Sequence, residues 1–112
     1  GDGATLDVPG APRVILVPGH TAGSAALHVP ARDLVFVGDA FATRSALTGA
    51  RGPLTVPQFN ADTRQALASL DRLAGLDAGL ALPGHGEPWR GDLAEAVRLV
   101  RASVPSLAAA AA

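Results

Sequence analysis

Short apolar runs, each closed by a turn signal, predict several strands in the first half of the chain and one strand later. The β-branched and aliphatic residues of these runs favour strands, and most of the turns that follow contain Gly or Pro. The predicted strands cover residues 5–8, 13–17, 25–29, 34–37 and 80–82. Residues 30–33 are expected to connect two of them as a hairpin.

The second half of the chain changes to a helical period. Asp62 is expected to cap a helix that runs to about residue 74 and stops at Gly75. Its apolar stripe consists of Leu67, Leu70, Leu73 and Ala74. Asp92 is expected to cap a second helix, which runs to about residue 103 before Pro105.

Residues 41–60 have no clean period and contain several Gly and Pro residues, which predicts a long loop. Long loops in compact domains often carry function, so this segment is expected to lie near the chemistry. A strand-rich region followed by helix, strand and helix favours the α+β or α/β class.

Composition narrows the classes of function. The 112 residues are 48% hydrophobic and 17% charged, which fits a globular domain or a piece of one. The net charge of −1 provides no electrostatic footprint for nucleic acid or a membrane surface. The absence of cysteine excludes disulfides, thiolate catalysis and cysteine-bound metal in this segment. With no signal-peptide pattern and no membrane-spanning run, a cytoplasmic protein is expected.

Three loops that follow predicted strands each carry one side chain able to bind a metal. Their motifs are Pro18-Gly19-His20-Thr21, Gly38-Asp39-Ala40 and Pro83-Gly84-His85-Gly86. Neutral imidazole and carboxylate are the usual ligands of zinc and non-haem iron. Asp39 follows His20 by 19 positions across one hairpin, so the chain should return to the same edge of the sheet.

Each of these residues has an ordinary alternative as a capping histidine or an aspartate in an Asx-turn. Their combination favours a metal site. Thr21 and Ser24 are expected to hold the His20 loop and orient its ring, because a metal-binding histidine needs such restraint. His28 is expected to be structural, and Trp89 to pack under its loop.

The chain resembles the metallo-β-lactamase-fold hydrolases in three segments, Pro18-Gly19-His20-Thr21-Ala22-Gly23-Ser24, Val37-Gly38-Asp39-Ala40 and Leu82-Pro83-Gly84-His85-Gly86. The resemblance covers residues 5–103 and matches the C-terminal half of the family's domain. It implies half of an αββα sandwich, with a mixed or antiparallel sheet and two flanking helices. Residues 1–107 would form this half-domain, and residues 108–112 a low-complexity alanine tail.

The resemblance also implies roles. His20 looks like the third histidine of the first metal site, Asp39 like the catalytic carboxylate that bridges both metals, and His85 like the histidine of the second metal. Two divalent metal ions are expected in the complete domain, typically zinc, with iron or manganese as alternatives. They would activate a water as hydroxide for attack on an ester, thioester, lactone or related small molecule. An aspartate in the bridging position is similar to glyoxalase II-like thioesterases and lactonases.

The family's N-terminal His-x-His-x-Asp-His motif is absent from this chain. A missing N-terminal half that carries those ligands is therefore the expected partner, and the 112-residue chain alone is expected to be inactive. Gly1 and the absence of methionine indicate that the chain does not begin where translation starts. The alternative is a non-catalytic half-fold remnant that serves as a structural or interaction module.

Overall fold

The computed structural model describes residues 2–104, with the backbone alone at residue 58. Pro105, the end of the predicted domain at residue 107 and the predicted alanine tail lie outside the described residues. The strands are β1 (Arg13–Leu16), β2 (Ala25–Val29), β3 (Leu34–Gly38), β4 (Ala42–Arg44), β5 (Arg51–Leu54), β6 (Leu80–Pro83) and β7 (Trp89–Arg90). The helices are α1 (Thr63–Ser69), α2 (Asp71–Ala74) and α3 (Leu93–Ala102).

Five of the strands form one mixed sheet in the order β1-β2-β3-β6-β7. The pair β3 and β6 is parallel, and the other neighbours are antiparallel. Strands β4 and β5 form a separate two-stranded antiparallel sheet. The α+β class and the mixed sheet with flanking helices are therefore confirmed.

The hydrophobic core lies between the helices and one face of the five-stranded sheet. On β3 the alternate residues Val35 and Val37 are fully buried, as the two-residue period of a strand requires. Helix α3 meets this face with residues at helical spacing, namely Leu93, Ala96, Val97 and Val100, all at most 2% exposed. This packing fixes the sheet, and with it the loops at the sheet's edge.

The opposite face of the sheet is also apolar but is not covered by the described residues. The strand register aligns Val14, Leu27, Phe36 and Leu82 as one row across β1, β2, β3 and β6. Phe36 is 45% exposed, and the other three residues are partly exposed. We call this row the open sheet face.

Two of the sequence predictions were wrong about strands. Residues 5–8 form no strand, since only an isolated bridge joins Thr5 to Arg13. Residues 41–60 are not a structureless loop, because they contain β4 and β5. These strands are three and four residues long, too short to produce a recognisable period.

The helix predicted from Asp62 is interrupted at Leu70, where α1 ends and α2 begins. The carbonyl of Leu67 accepts a hydrogen bond from the Arg101 guanidinium (2.9 Å), and Leu70 N–H donates to the same carbonyl at 3.3 Å. The turn therefore tightens to i→i−3 bonding. The predicted caps are confirmed, since Asp62 accepts from Gln65 N–H and Asp92 from Ala94 N–H.

A polar contact between β1 and α2 fixes the strand that leads into the His20 loop. The Leu16 N–H donates to the Asp2 carboxylate (3.0 Å), and Arg72 donates to the Leu16 carbonyl (3.1 Å) and to Asp2. The Leu16 N–H, followed by Arg72, holds the pKa of Asp2 below its usual value. The last residue of β1 is therefore held on both its N–H and its carbonyl side.

Candidate functional site

The topology of the sheet places three strand ends at one edge. Because β3 and β6 are parallel, their carboxyl ends lie side by side, with Gly38 opposite Pro83. Because β1 and β3 are both antiparallel to the strand between them, the end of β1 lies at the same edge. The loops that carry His20, Asp39 and His85 start from these strand ends.

The three side chains predicted from the sequence meet at this edge. His20 Nε2 lies 3.4 Å from Asp39 Oδ2, and His85 Nδ1 lies 3.0 Å from Asp39 Oδ1. Asp39 thus faces one histidine with each of its oxygens. All three side chains remain accessible, with 27% exposure for His20, 41% for Asp39 and 59% for His85.

The donor set fits divalent metals of the zinc or iron type, which take imidazole and carboxylate ligands. A cation near His20 and a second cation near His85 would each find one imidazole nitrogen and one oxygen of Asp39. Within residues 2–104, no cluster of three or more potential ligands surrounds a single metal position. Complete coordination at either position would therefore require ligands beyond this set.

The ring of His20 is held by a residue that the sequence analysis did not identify. His20 Nδ1 lies 3.3 Å from Asn60 Oδ1, on the side of the ring opposite Asp39. The Asn60 amide in turn donates to Thr55 Oγ1 at 2.8 Å and to Thr63 Oγ1 at 3.4 Å. In the sequence, Asn60 looked like the end of a loop before the Asp62 cap, with no signal of this contact.

Thr21 and Ser24 stabilise the loop that carries His20. Ser24 Oγ accepts from the Thr21 N–H at 3.1 Å and bonds the Thr21 hydroxyl at 2.9 Å. These bonds close the turn, and Val17 N–H donates to the Ser24 carbonyl at its base (2.8 Å). Any effect of these hydroxyls on the ring of His20 would pass through the loop backbone.

Gly19 allows the His20 loop to pass against helix α1. Its φ is +139°, a conformation that residues with side chains rarely adopt. A Cβ at this position would lie 2.2 Å from the Ala66 backbone. Behind it, Asp62 N–H donates to the Gly19 carbonyl (2.8 Å) and Ala61 N–H to the His20 carbonyl (3.1 Å). The start of α1 therefore sets the position of His20.

The loop that carries His85 is fixed against β3 and β4. Gly84 N–H donates to the Gly38 carbonyl (2.8 Å), and Thr43 N–H donates to the His85 carbonyl (3.1 Å). A Cβ at Gly84 would lie 2.9 Å from Asp39 Oδ1, so glycine leaves room for this carboxylate. The Thr43 hydroxyl donates to the Glu87 carbonyl at 2.6 Å and closes the loop.

A largely apolar pocket lies beside the three side chains. Its apolar wall comes from β4, from the residues that flank it and from the segment after β5, and includes Phe41, Ala42, Ala46, Val56 and Phe59. Arg44 also lines the pocket, and no ion pair to Arg44 occurs among the described residues. A ligand here would meet apolar surface, one guanidinium and the candidate metal ligands.

Other polar residues that could carry chemistry make different contacts. His28 Nε2 lies 3.3 Å from the Asp77 carbonyl, which fits the structural role expected from its place in a strand. Trp89 is partly buried against the core, and its indole N–H donates to the Asp92 carbonyl (3.4 Å), as expected for a packing residue. Glu87 is exposed and pairs with Arg51 at 3.3 Å.

Comparison with known proteins gives one family and several similar folds. The sequence profile of the metallo-beta-lactamase superfamily matches residues 1–85. A metallo-beta-lactamase family protein from Thermus thermophilus is 27% identical with a TM-score of 0.68, over 96% of this chain and 34% of that chain. A beta-lactamase domain protein from Burkholderia ambifaria is 25% identical with a TM-score of 0.69, over 91% of this chain and 31% of that chain.

A third similar structure, that of TTHA1623 in a di-iron-bound form, is 30% identical with a TM-score of 0.59. The match covers 89% of this chain and 45% of that chain. The chain therefore spans between about a third and just under half of the length of these three structures. The search of curated proteins found no match.

Proposed function

Because the chain belongs to the metallo-beta-lactamase superfamily, we propose that it supplies part of the dinuclear metal centre of a hydrolase. The observation that carries this proposal is the arrangement of Asp39 between the two histidines. Each of its oxygens faces one imidazole nitrogen, at 3.4 Å and 3.0 Å. A carboxylate that serves two cations needs this arrangement, whereas a helix cap or an Asx-turn does not.

In this proposal the residues of the chain bind and orient. His20 and Asp39 would hold one cation, and Asp39 and His85 the other, with zinc or iron as the fitting metals. Bound divalent cations would lower the pKa of a coordinated water toward neutrality and stabilise developing negative charge on the substrate. Gly19 lets its loop pass close to Ala66, and Gly84 lets its loop pass close to Asp39. These close contacts hold both histidine loops near Asp39.

The proposed substrate is a small ester, thioester or lactone. The apolar wall beside the candidate ligands would receive an aliphatic or aromatic part of such a molecule, and the wall includes Phe41, which is 1% exposed. Arg44 would attract a substrate that also carries an anionic group. The aspartate between the histidines favours a glyoxalase II-like or lactonase-like member of the superfamily.

The proposed partner is the remainder of a metallo-beta-lactamase domain, with the missing His-x-His-x-Asp-His ligands. Two observations support it: the chain spans less than half of each of the three similar structures, and the open sheet face is apolar. Phe36 lies within this apolar row and is 45% exposed. A large exposed phenylalanine in an apolar row is unusual on a sheet face that only solvent covers. A second sheet packed on this face would bury the whole row.

The metal content of the whole protein, whatever its length, tests the proposed centre. We expect about two divalent metals per chain by elemental analysis paired with intact mass. Asp39→Asn should reduce both the metal content and the rate of ester hydrolysis, because a neutral amide cannot serve two cations with charged oxygens. His28→Gln is the matched control, since His28 lies in a strand away from the site.

An unchanged metal content in Asp39→Asn would contradict the shared carboxylate. The second candidate function is a non-catalytic module, which the absence of a three-ligand cluster within residues 2–104 favours. Whole protein that binds no metal and hydrolyses no ester, thioester or lactone would support that module instead of the hydrolase.

A further inference from the structure

We propose that Asn60 is a positioning residue that fixes the ring orientation and the tautomer of His20. The contact between Asn60 and His20 lies within the described residues. Only its consequence for metal binding rests on the proposed metal centre. Asn60 would hold the hydrogen of the His20 ring on Nδ1 and so leave the lone pair of Nε2 available to a metal cation that Asp39 also faces.

In the structure the Asn60 amide directs its NH₂ group at two threonine hydroxyls. Its NH₂ group has two hydrogens, and two threonine hydroxyls lie within reach, Thr55 Oγ1 at 2.8 Å and Thr63 Oγ1 at 3.4 Å. This leaves Oδ1, which can only accept a hydrogen bond, facing His20 Nδ1 at 3.3 Å. With the amide in this orientation, a hydrogen bond between the two side chains requires the imidazole to donate from Nδ1.

A neutral imidazole carries its hydrogen on one nitrogen and a lone pair on the other. With the hydrogen on Nδ1, the lone pair is on Nε2, the atom that lies 3.4 Å from Asp39 Oδ2. Asp39 and Asn60 thus face opposite nitrogens of one ring. A ring flip would place carbon atoms where Nε2 and Nδ1 now lie, so it would break the contacts with both Asp39 and Asn60.

Asn60 is itself held firmly enough to act in this way. Its backbone N–H donates to the Pro57 carbonyl (3.1 Å), and the next residue, Ala61, donates to the His20 carbonyl (3.1 Å). Thr55, its nearest amide partner, is 8% exposed and donates its N–H to Ser103 Oγ at 3.4 Å. The segment from β5 to α1 therefore contacts both the backbone and the side chain of His20.

The test compares Asn60→Leu, Asn60→Asp and Gln65→Leu in the whole protein. Leucine removes the acceptor, whereas aspartate keeps an oxygen at the same place and can accept from the threonine hydroxyls. Gln65 carries the same amide group but is an exposed residue of α1, so Gln65→Leu is the matched control. The free energy of unfolding of each variant is measured to separate local from global effects.

The first readout is the tautomer of His20 in metal-free protein, from side-chain ¹⁵N NMR at a pH where imidazole is neutral. Every protein in this readout also carries Asp39→Ala, so that no carboxylate competes for a hydrogen on Nε2. A His20→Gln variant assigns the signals. The hydrogen should lie on Nδ1 when Asn60 is intact, in Asn60→Asp and in Gln65→Leu, whereas Asn60→Leu should give a mixture. The second readout is zinc affinity by competition with a chelator, which we expect to fall about 10–100-fold in Asn60→Leu alone.

If Asn60→Leu fails to fold, Thr55→Val carries the test, because it removes the amide's nearest partner while the change of volume is small. A mixed tautomer in that variant would support the proposal. An unchanged tautomer in Asn60→Leu would overturn the proposal, and Thr55→Val replaces this variant if Asn60→Leu does not fold. An equal effect of Gln65→Leu would also overturn it. Wild-type protein that binds no zinc would refute the proposed function, while the NMR result would still decide the role of Asn60.

Discussion

Gly19 shows how one position without a side chain determines the geometry of the candidate site. The sequence placed it beside a candidate ligand, and the structure adds the reason that no other residue fits. The backbone has φ of +139°, and the Ala66 backbone occupies the space where a Cβ would lie. His20 follows directly, so a shift at Gly19 displaces the ligand.

Gly19→Ala should therefore destabilise the fold and impair the site together. Positive φ and a contact with a helix backbone each cost about 1–3 kcal/mol, so we expect a loss of about 2–6 kcal/mol in the free energy of unfolding. Chemical denaturation measures this loss, and zinc competition measures the site. Gly23→Ala in the same loop is the control, because a Cβ there meets no atom within 4 Å. Equal stability of the two variants would contradict this account.

The contrast between His20 and its neighbours marks the limit of sequence reasoning at this scale. The ligand types and the glycines beside them were predictable because they are local features of strand–loop junctions. Asn60 was not, since it lies 40 residues from His20 along the chain and the contact arises only in the folded state. The assignment of His20, Asp39 and His85 as metal ligands stays a prediction.

Among the elements, helix α1 has the most direct link to the candidate site. Its N-cap, Asp62, accepts from Gln65 N–H (3.0 Å) through its side chain and donates to the Gly19 carbonyl (2.8 Å) through its backbone. The cap thus fixes the start of the helix and the loop before His20 at once. Helix α3 has a similar cap at Asp92 but lacks, within the described residues, a hydrogen bond from that cap to a site loop.

Asp62→Ala should lower the free energy of unfolding by about 1 kcal/mol, the usual cost of losing an aspartate N-cap. Asp92→Ala should cost a similar amount by the same mechanism. Zinc affinity should fall in the first variant and stay unchanged in the second, because only the Asp62 cap contacts the His20 loop. Equal zinc affinity of both variants would argue against a link between the α1 cap and the site.

The strands also differ in how accurately their bounds could be predicted from the sequence. Strands β1, β2, β3 and β6 were predicted to within a residue at each end, because each is an apolar run that the core buries on at least one face. Strands β4, β5 and β7 have two to four residues and were missed. Their pairing comes from contacts with neighbouring segments, which no local pattern records.

Over the molecule as a whole, the two faces of the main sheet are in different environments. One face packs on the helices, with Val35, Ala81 and Ala26 at 0% exposure. The other presents the open sheet face, Val14, Leu27, Phe36 and Leu82, of which Phe36 is 45% exposed. No helix within the described residues is long and apolar enough to cross a membrane.

Phe36→Asp tests whether the remainder of a domain covers this face. In the whole protein, the charge would be buried without a partner, and we expect a loss of at least about 2 kcal/mol in the free energy of unfolding. Leu47→Asp is the control, because Leu47 is 55% exposed and lies outside the row. A Phe36→Asp protein as stable as the control would mean that nothing packs on the open sheet face.

The sequence by itself determined the local features: the apolar runs that became β1, β2, β3 and β6, the caps at Asp62 and Asp92, and the ligand-type residues after strand ends. These follow from short-range periodicity and backbone preferences, which a single segment expresses. Tertiary structure alone decided the parallel pairing of β3 with β6, the contact between Asn60 and His20, and the exposure of Phe36. Each of these joins residues far apart in the chain or depends on what packs against them, so no local pattern contains it.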